Sequence, residues 1–151
     1  MLRESPISEE ELKTFKDQGF LHLKNIFDLE TVSELKKRIM NFVELGEFDQ
    51  VELMKAGDQV YSIRNVHEIK SLIVEDLLEK SPLKMLVESL FKEEVFLVNS
   101  ESFIKPPGAK GETNRHQDDY YFTTKDNLGV NCYIPLEHSH KGSGGIYYYP
   151  G

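Results

Sequence analysis

The spacing of apolar residues changes once along this chain, and that change constrains the fold more than any other feature. Up to about residue 93, apolar residues recur at helical spacing. One such stripe contains Val32, Leu35, Ile39, Phe42 and Val43. From about residue 94 onward, strand-like segments replace this spacing, most clearly at residues 128–136, where apolar and polar residues alternate as in a strand covered on one face. Helices followed by strands predict an α+β fold in which the helices cover a sheet.

Local signals predict where three of the helices begin or end. Residues 8–11, Ser-Glu-Glu-Glu, form a capping box, and Gly19 is placed to end that helix. Asp28 and Gly46 occupy the corresponding positions around the second helix. Residues 81–82, Ser-Pro, predict the start of a further helix, with the serine as N-cap and the proline at the first helical position.

Strands are predicted mainly in the last third of the chain. The clearest alternation lies at residues 128–136, where one face is apolar and the other presents Asn131 and Tyr133. Two short apolar segments, residues 20–23 and 60–63, are further strand candidates within the helical part. The other predicted strands span about residues 95–104, residues 116–122, and a segment that begins at residue 146.

Composition excludes several classes of protein. A chain of 151 residues is long enough for one domain. With 18 basic and 26 acidic residues, the net charge of −8 argues against nucleic acid as a partner. No apolar stretch is long enough to predict a membrane span, and the N-terminus has no apolar signal segment. The single cysteine, Cys132, excludes an internal disulfide and predicts a reducing, cytoplasmic location.

One triplet, His116-Gln117-Asp118, points to metal chemistry. On an extended strand, positions i and i+2 face the same side, so the imidazole and the carboxylate can bind one metal ion together. These two groups are two-thirds of the facial triad that holds Fe(II) and leaves positions open. The triplet alone leaves a second interpretation open, in which the strand lies at the surface and the two side chains form a hydrogen-bonded pair.

The triplet lies within an ordered set of motifs. Lys-Pro-Pro-Gly at 105–108 is followed by His-Gln-Asp-Asp-Tyr-Tyr-Phe at 116–122 and Tyr-Ile-Pro-Leu-Glu at 133–137. Gly-Gly-Ile at 144–146 and Pro-Gly at 150–151 complete the set. From about Leu12 to Gly151, this order resembles the phytanoyl-CoA dioxygenase family of Fe(II)- and 2-oxoglutarate-dependent oxygenases.

The resemblance implies a fold and its organisation. The family's fold is a double-stranded β-helix, a cupin-like jelly roll. The resemblance implies that residues 1–151 form a single domain, the N-terminal portion of an oxygenase domain of this family. Its helical part spans 1–93, and the first strands of the jelly roll span 94–151. The helical part would pack on a roll that is incomplete in this chain.

The resemblance also implies the site and its cofactors. His116 and Asp118 match the first two iron ligands of the family, with 2-oxoglutarate as co-substrate and O2 as oxidant. Four polar strand residues are candidates for contacts with 2-oxoglutarate or substrate, although each could equally face solvent: Tyr133, Asn131, Asn99 and Glu101. Three further residues are candidates on the substrate or loop side: Lys105, Arg115 and Tyr121. The two basic ones could draw in an anionic ligand or be ordinary loop charges.

The activity implied by the resemblance is hydroxylation of a small organic substrate, coupled to conversion of 2-oxoglutarate to succinate. In related halogenases a small residue replaces the carboxylate ligand, so the presence of Asp118 favours hydroxylation over halogenation. The expected partner is a small molecule, with no nucleic acid and no membrane.

The family's second histidine ligand and its 2-oxoglutarate-binding arginine normally follow the Pro-Gly segment. This sequence ends at Gly151, and the positions of His138 and His140 do not match the distal ligand. We therefore expect an N-terminal portion of an oxygenase that needs a C-terminal half. The alternative is an inactive truncated fragment that serves as a binding or interaction module, as a dimer or with a complementing chain.

Overall fold

The computed structural model describes residues 2–46, 48–49, 51–72, 74, 78, 81–106, 113–118 and 129–150. Its helices are α1 (Glu9–Gln18), α2 (Leu29–Leu45) and α3 (Leu83–Phe91). Its strands are β1 (Leu53–Ala56), β2 (Gln59–Arg64) and β3 (Glu101–Phe103). Short 3-10 turns span Lys70–Leu72 and Lys141–Ser143. The predicted α+β class is confirmed, whereas the jelly roll stays a prediction.

Helix α1 begins and ends where its sequence signals predict. The Ser8 hydroxyl accepts a hydrogen bond from the Glu11 amide, and the Glu11 carboxylate accepts one from the Ser8 amide, which completes the capping box. At the other end, Gly19 has a φ of +81°, and its amide donates to the Phe15 carbonyl. The positive φ is available to glycine at little cost, which explains why the helix ends there.

Helix α2 supplies the helical side of the core. The Asp28 carboxylate accepts a hydrogen bond of 2.6 Å from the Thr31 amide, so the predicted N-cap is confirmed. The predicted stripe is confirmed as well, because Leu35, Ile39 and Phe42 are buried. Gly46, with a φ of +68°, ends the helix as expected.

Helix α3 begins close to its predicted start. The N-cap is Pro82 rather than Ser81, but the Ser81 hydroxyl accepts a hydrogen bond of 3.2 Å from the Leu83 amide. Leu86 is the buried residue of this helix. The Ser89 hydroxyl accepts a hydrogen bond of 2.9 Å from the Ile7 amide, which fastens the segment before α1 to α3.

The three strands form an antiparallel sheet in the order β1-β2-β3. The central strand includes residues 60–63, so the prediction of a strand there is confirmed. Ile63 lies opposite Leu53 on one side and Ser102 on the other, and it is fully buried. Both β1 and β2 belong to the part of the chain predicted to be mainly helical.

One hydrophobic cluster joins α2 to the sheet and to the segment that follows β2. Its buried members are Leu35, Ile39, Phe42, Val60, Ile63, Val66, Leu72 and Val74. From the described residues after 113, Leu136 alone packs against the cluster. Among the described residues, the buried members of this core cluster therefore all lie before residue 75, and Leu136 packs against them from the last third.

Several predicted strands are wrong within the described ranges. Residues 20–23, 95–100, 116–118, 129–136 and 146–149 are not in strands, and β3 covers only three residues of the predicted 95–104 segment. A strand needs a neighbour whose amides and carbonyls complete the hydrogen-bond ladder, and alternation alone does not supply one. The rest of the predicted 116–122 strand, together with Leu128, lies outside the described residues.

Large apolar side chains of these segments are exposed. Phe96 and Val98 precede β3, and the side chains of residues 146–149 follow the second 3-10 turn. Within the described ranges, no helix has the length and apolar content needed to cross a bilayer.

Candidate metal site

His116 is oriented by the backbone immediately before it. Its Nδ1 lies 2.7 Å from the Asn114 carbonyl oxygen. A carbonyl oxygen only accepts hydrogen bonds, so Nδ1 carries the proton and donates it. In the neutral imidazole, Nε2 then keeps its lone pair, which is the state that a metal ligand requires.

Nε2 of His116 faces the carboxylate of Asp118. The distance from Nε2 to Oδ1 is 3.2 Å, and both side chains are partly exposed. Two ligand atoms that bind one metal ion at about 2.1 Å and at a right angle lie roughly 3 Å apart. The pair therefore fits two adjacent ligand positions of a divalent ion.

The second oxygen of Asp118 has a partner from a distant part of the sequence. Asn131 Nδ2 donates to Asp118 Oδ2 over 2.5 Å. Asn131 thus lies against the candidate ligand, and this bond joins the 113–118 segment to the 129–136 segment. The sequence predicted Asn131 on the same strand face as Tyr133, as a contact of 2-oxoglutarate, and that role stays a prediction.

Aromatic residues border this pair. Burial raises the pKa of the Tyr148 hydroxyl, and the nearby Tyr133, Asp118 and Cys132 raise it further. The ring of Tyr148 stacks on Phe20, with ring centroids 5.3 Å apart. Tyr148 therefore interacts electrostatically with both Tyr133 and Asp118. The expected role of Tyr133 near 2-oxoglutarate stays a prediction.

Arg115 is held by an aromatic ring. Its guanidinium carbon lies 3.9 Å from the centroid of Tyr149, which is a cation–π contact. This contact fastens the residue before His116 to the 146–149 segment. The candidate role of Arg115 in drawing in an anion stays a prediction.

Two candidates, Glu101 and Asn99, come from the first predicted strand. The Glu101 carboxylate in β3 accepts a hydrogen bond of 2.5 Å from the Ser62 hydroxyl and lies 3.9 Å from Arg64 Nε. These contacts join β3 to the buried strand β2. Asn99 is half-buried and precedes β3. The expected roles of both residues near 2-oxoglutarate stay predictions.

The remaining loop candidates are Lys105 and Tyr121. The aliphatic part of Lys105 crosses Gly144 so closely that a Cβ there would lie 2.5 Å from Lys105 Cδ. Gly144 also has a φ of +79°, so glycine suits this position on both grounds. Tyr121 lies outside the described residues.

No third ligand joins His116 and Asp118 within the described ranges, which contain no group of three metal-binding side chains. His138 and His140 lie with their rings 5.4 Å apart. His140 Nδ1 accepts a hydrogen bond of 3.0 Å from the Gly142 amide, so its lone pair on that nitrogen is already used within the turn. The expectation that neither residue replaces the distal ligand stays a prediction.

Sequence reasoning missed two contributors to the site. The Asn114 carbonyl is a backbone group, so no side-chain pattern could reveal it. Tyr148 lies in a run of three tyrosines, residues 147–149, in which alternation alone does not distinguish the one beside Asp118. The aromatic content of this run could have pointed to Tyr148, but the spacing of its residues could not.

Comparison with protein-family models identifies the lineage. The model described as Phytanoyl-CoA dioxygenase (PhyH) matches residues 15–151, which include His116, Asp118 and Asn131. The chain belongs to the phytanoyl-CoA dioxygenase family. No curated protein and no solved structure matches it significantly. Membership places this PhyH chain in an oxygenase-type enzyme family, and the resemblance identified from the motif order is confirmed.

Proposed function

We propose that this PhyH protein is an Fe(II)- and 2-oxoglutarate-dependent hydroxylase of a small organic substrate. One observation supports this above the others: His116 Nε2 and Asp118 Oδ1 converge to 3.2 Å in a member of this family. Imidazole and carboxylate are ligands that suit Fe(II) and leave coordination positions open. Bound Fe(II) would supply the centre at which oxygen and the oxoacid react.

The protein's own residues would orient the ligands and border the substrate. The Asn114 carbonyl holds the His116 ring with Nε2 toward Asp118. Tyr133 and Tyr148 would border one side of the centre, since both Tyr133 and Asp118 act electrostatically on the Tyr148 hydroxyl. Lys105 and Arg115 remain candidates for attracting an anionic substrate or co-substrate.

The proposal includes a further protein ligand from outside the described residues. One imidazole and one carboxylate bind a divalent ion only weakly, and they select poorly among metals. All five histidines are described, and among the described residues none joins the pair in a group of three ligands. The remaining ligand and a positive group for 2-oxoglutarate would come from outside the described residues.

Metal binding by point variants tests the site. We expect wild-type protein to bind Co(II), used as a stable substitute for Fe(II), and His116→Ala and Asp118→Ala to bind it at least about tenfold more weakly. The exposed His22→Ala is the matched control and should bind as wild type does. Equilibrium dialysis measures the affinities, and equal Co(II) affinity in all four proteins would contradict the proposed metal site.

Succinate formation tests the reaction. We expect a preparation with a complete iron site to convert 2-oxoglutarate to succinate only when Fe(II) and oxygen are both present. We expect His116→Ala and Asp118→Ala to lose this activity. Retained activity in both variants would contradict the assignment. Metal binding without any succinate would favour the alternative, a non-catalytic binding module.

A further inference from the structure

We infer that Asn131 is a positioning residue of the metal site, which holds the Asp118 carboxylate in the orientation that presents Oδ1 to the metal. The inference rests on the proposed function, because it concerns the same site. It differs from the role expected from sequence, in which Asn131 contacts 2-oxoglutarate. The distinction is measurable, because a positioning residue affects metal binding even when no co-substrate is present.

The two oxygens of Asp118 have different partners. Oδ1 faces His116 Nε2 at 3.2 Å, whereas Oδ2 accepts the 2.5 Å hydrogen bond from Asn131 Nδ2. A carboxylate only accepts hydrogen bonds, so the amide nitrogen of Asn131, and not its oxygen, faces it. With Oδ2 engaged in this way, the carboxylate offers one oxygen to the metal.

This bond matters because little else restrains the carboxylate. The Asp118 side chain is 38% exposed and lies in a segment without strand hydrogen bonding among its described residues. A partly exposed side chain without a fixed partner samples several rotamers. Fixing one of these rotamers when the metal binds costs conformational entropy. Asn131, 13 residues further along the chain, supplies the fixed partner.

The neutral amide suits this role better than a cation would. A lysine or arginine at position 131 would form an ion pair with Asp118 and compete with the metal for its charge. An amide donates a hydrogen bond and leaves the full negative charge for the metal. Hydrogen-bond partners of metal ligands characteristically tune metal affinity in this way.

The test compares Co(II) affinity in the absence of 2-oxoglutarate. We expect Asn131→Leu, which keeps the size and removes the donor, to bind Co(II) about 10- to 100-fold more weakly than wild type. The visible absorption of the bound Co(II) should change as well, because the carboxylate is no longer held. Asn131→Gln keeps an amide and should recover part of the affinity.

Asn41→Leu, an exposed position of α2, is the matched control and should leave Co(II) binding unchanged. Thermal unfolding shows whether each variant is folded. If Asn131→Leu is unfolded, the Co(II) affinity of Asn131→Gln is compared with that of wild type instead. Wild-type affinity in both Asn131 variants, with affinity lost in Asp118→Ala, overturns the positioning role but leaves the metal site intact. Wild-type affinity in Asp118→Ala and His116→Ala overturns the metal site and the positioning role together.

Discussion

At the scale of single residues, a two-pronged ion pair holds the start of α1. The Arg3 guanidinium donates to both oxygens of Glu11, over 2.7 and 2.8 Å. The Ser8 amide donates to the same carboxylate over 2.9 Å. These bonds favour the charged form, and the hydrogen bond from Arg3 has the largest effect, so the pKa of Glu11 falls from 4.5 to about 2.

This shift predicts a pH dependence of stability. A carboxyl with a lowered pKa in the folded state stabilises the fold above its unfolded pKa, here 4.5, and the contribution is lost as the pH falls through about 2. We therefore expect the difference in unfolding free energy between wild type and Glu11→Gln to be constant above pH 4.5 and to shrink toward pH 2. Urea unfolding across this range measures it.

The exposed neighbour Glu10→Gln is the control for that series, and we expect it to change the pH profile much less. A difference between wild type and Glu11→Gln that persists unchanged down to pH 2 would contradict the assigned ion pair.

At the scale of elements, helices α1 and α2 each end at a glycine with a positive φ. In α2 this residue is Gly46, whose amide donates to the Phe42 carbonyl. A Cβ added at Gly46 would meet no atom within 4 Å. The requirement for glycine here is therefore a matter of backbone conformation and not of space.

Substitution of Gly46 separates these two effects. We expect Gly46→Ala to lower the unfolding free energy by about 1 kcal/mol, because a side chain disfavours the left-handed conformation. Gly46→Asn should cost less, since asparagine adopts this conformation more readily. Chemical denaturation measures both, and equal stability of the alanine variant and wild type would show that the helix end shifts instead.

At the scale of the whole molecule, the core and the candidate site occupy different regions. The core joins α2 to the sheet. His116, Asp118 and Asn131 lie in the segments 113–118 and 129–136, of which only Leu136 packs against the core among the described residues. The ion pair between Lys36 of α2 and Glu137 is a further link between the two regions, and it is exposed. Exposed ion pairs contribute little, so stability depends mainly on the core.

A core substitution should therefore affect stability far more than a surface one of similar size. We expect Ile63→Ala to lower the unfolding free energy by about 2–5 kcal/mol, because Ile63 is fully buried. Val98→Ala, at a position that is 78% exposed, should change it by less than about 0.5 kcal/mol. Similar losses for both variants in urea unfolding would contradict this location of the core.

The sequence by itself determined the elements whose hydrogen bonds are local. The capping box of α1 joins residues three apart, and the N-cap of α2 does the same, so their signals are legible without knowledge of the fold. The buried stripe of α2 follows from helical geometry for the same reason. His116 and Asp118 could be named because they are two positions apart, although their role as ligands stays a proposal.

Only the tertiary structure decided which extended segments pair and what surrounds the candidate ligands. Alternation predicted strands at 129–136 and 146–149, but pairing in the described residues occurs among β1, β2 and β3. The bond between Ser62 and Glu101 joins residues 39 apart, and that between Asn131 and Asp118 joins residues 13 apart. Such contacts depend on chain closure across many intervening residues, and local residue patterns contain no information about the partner.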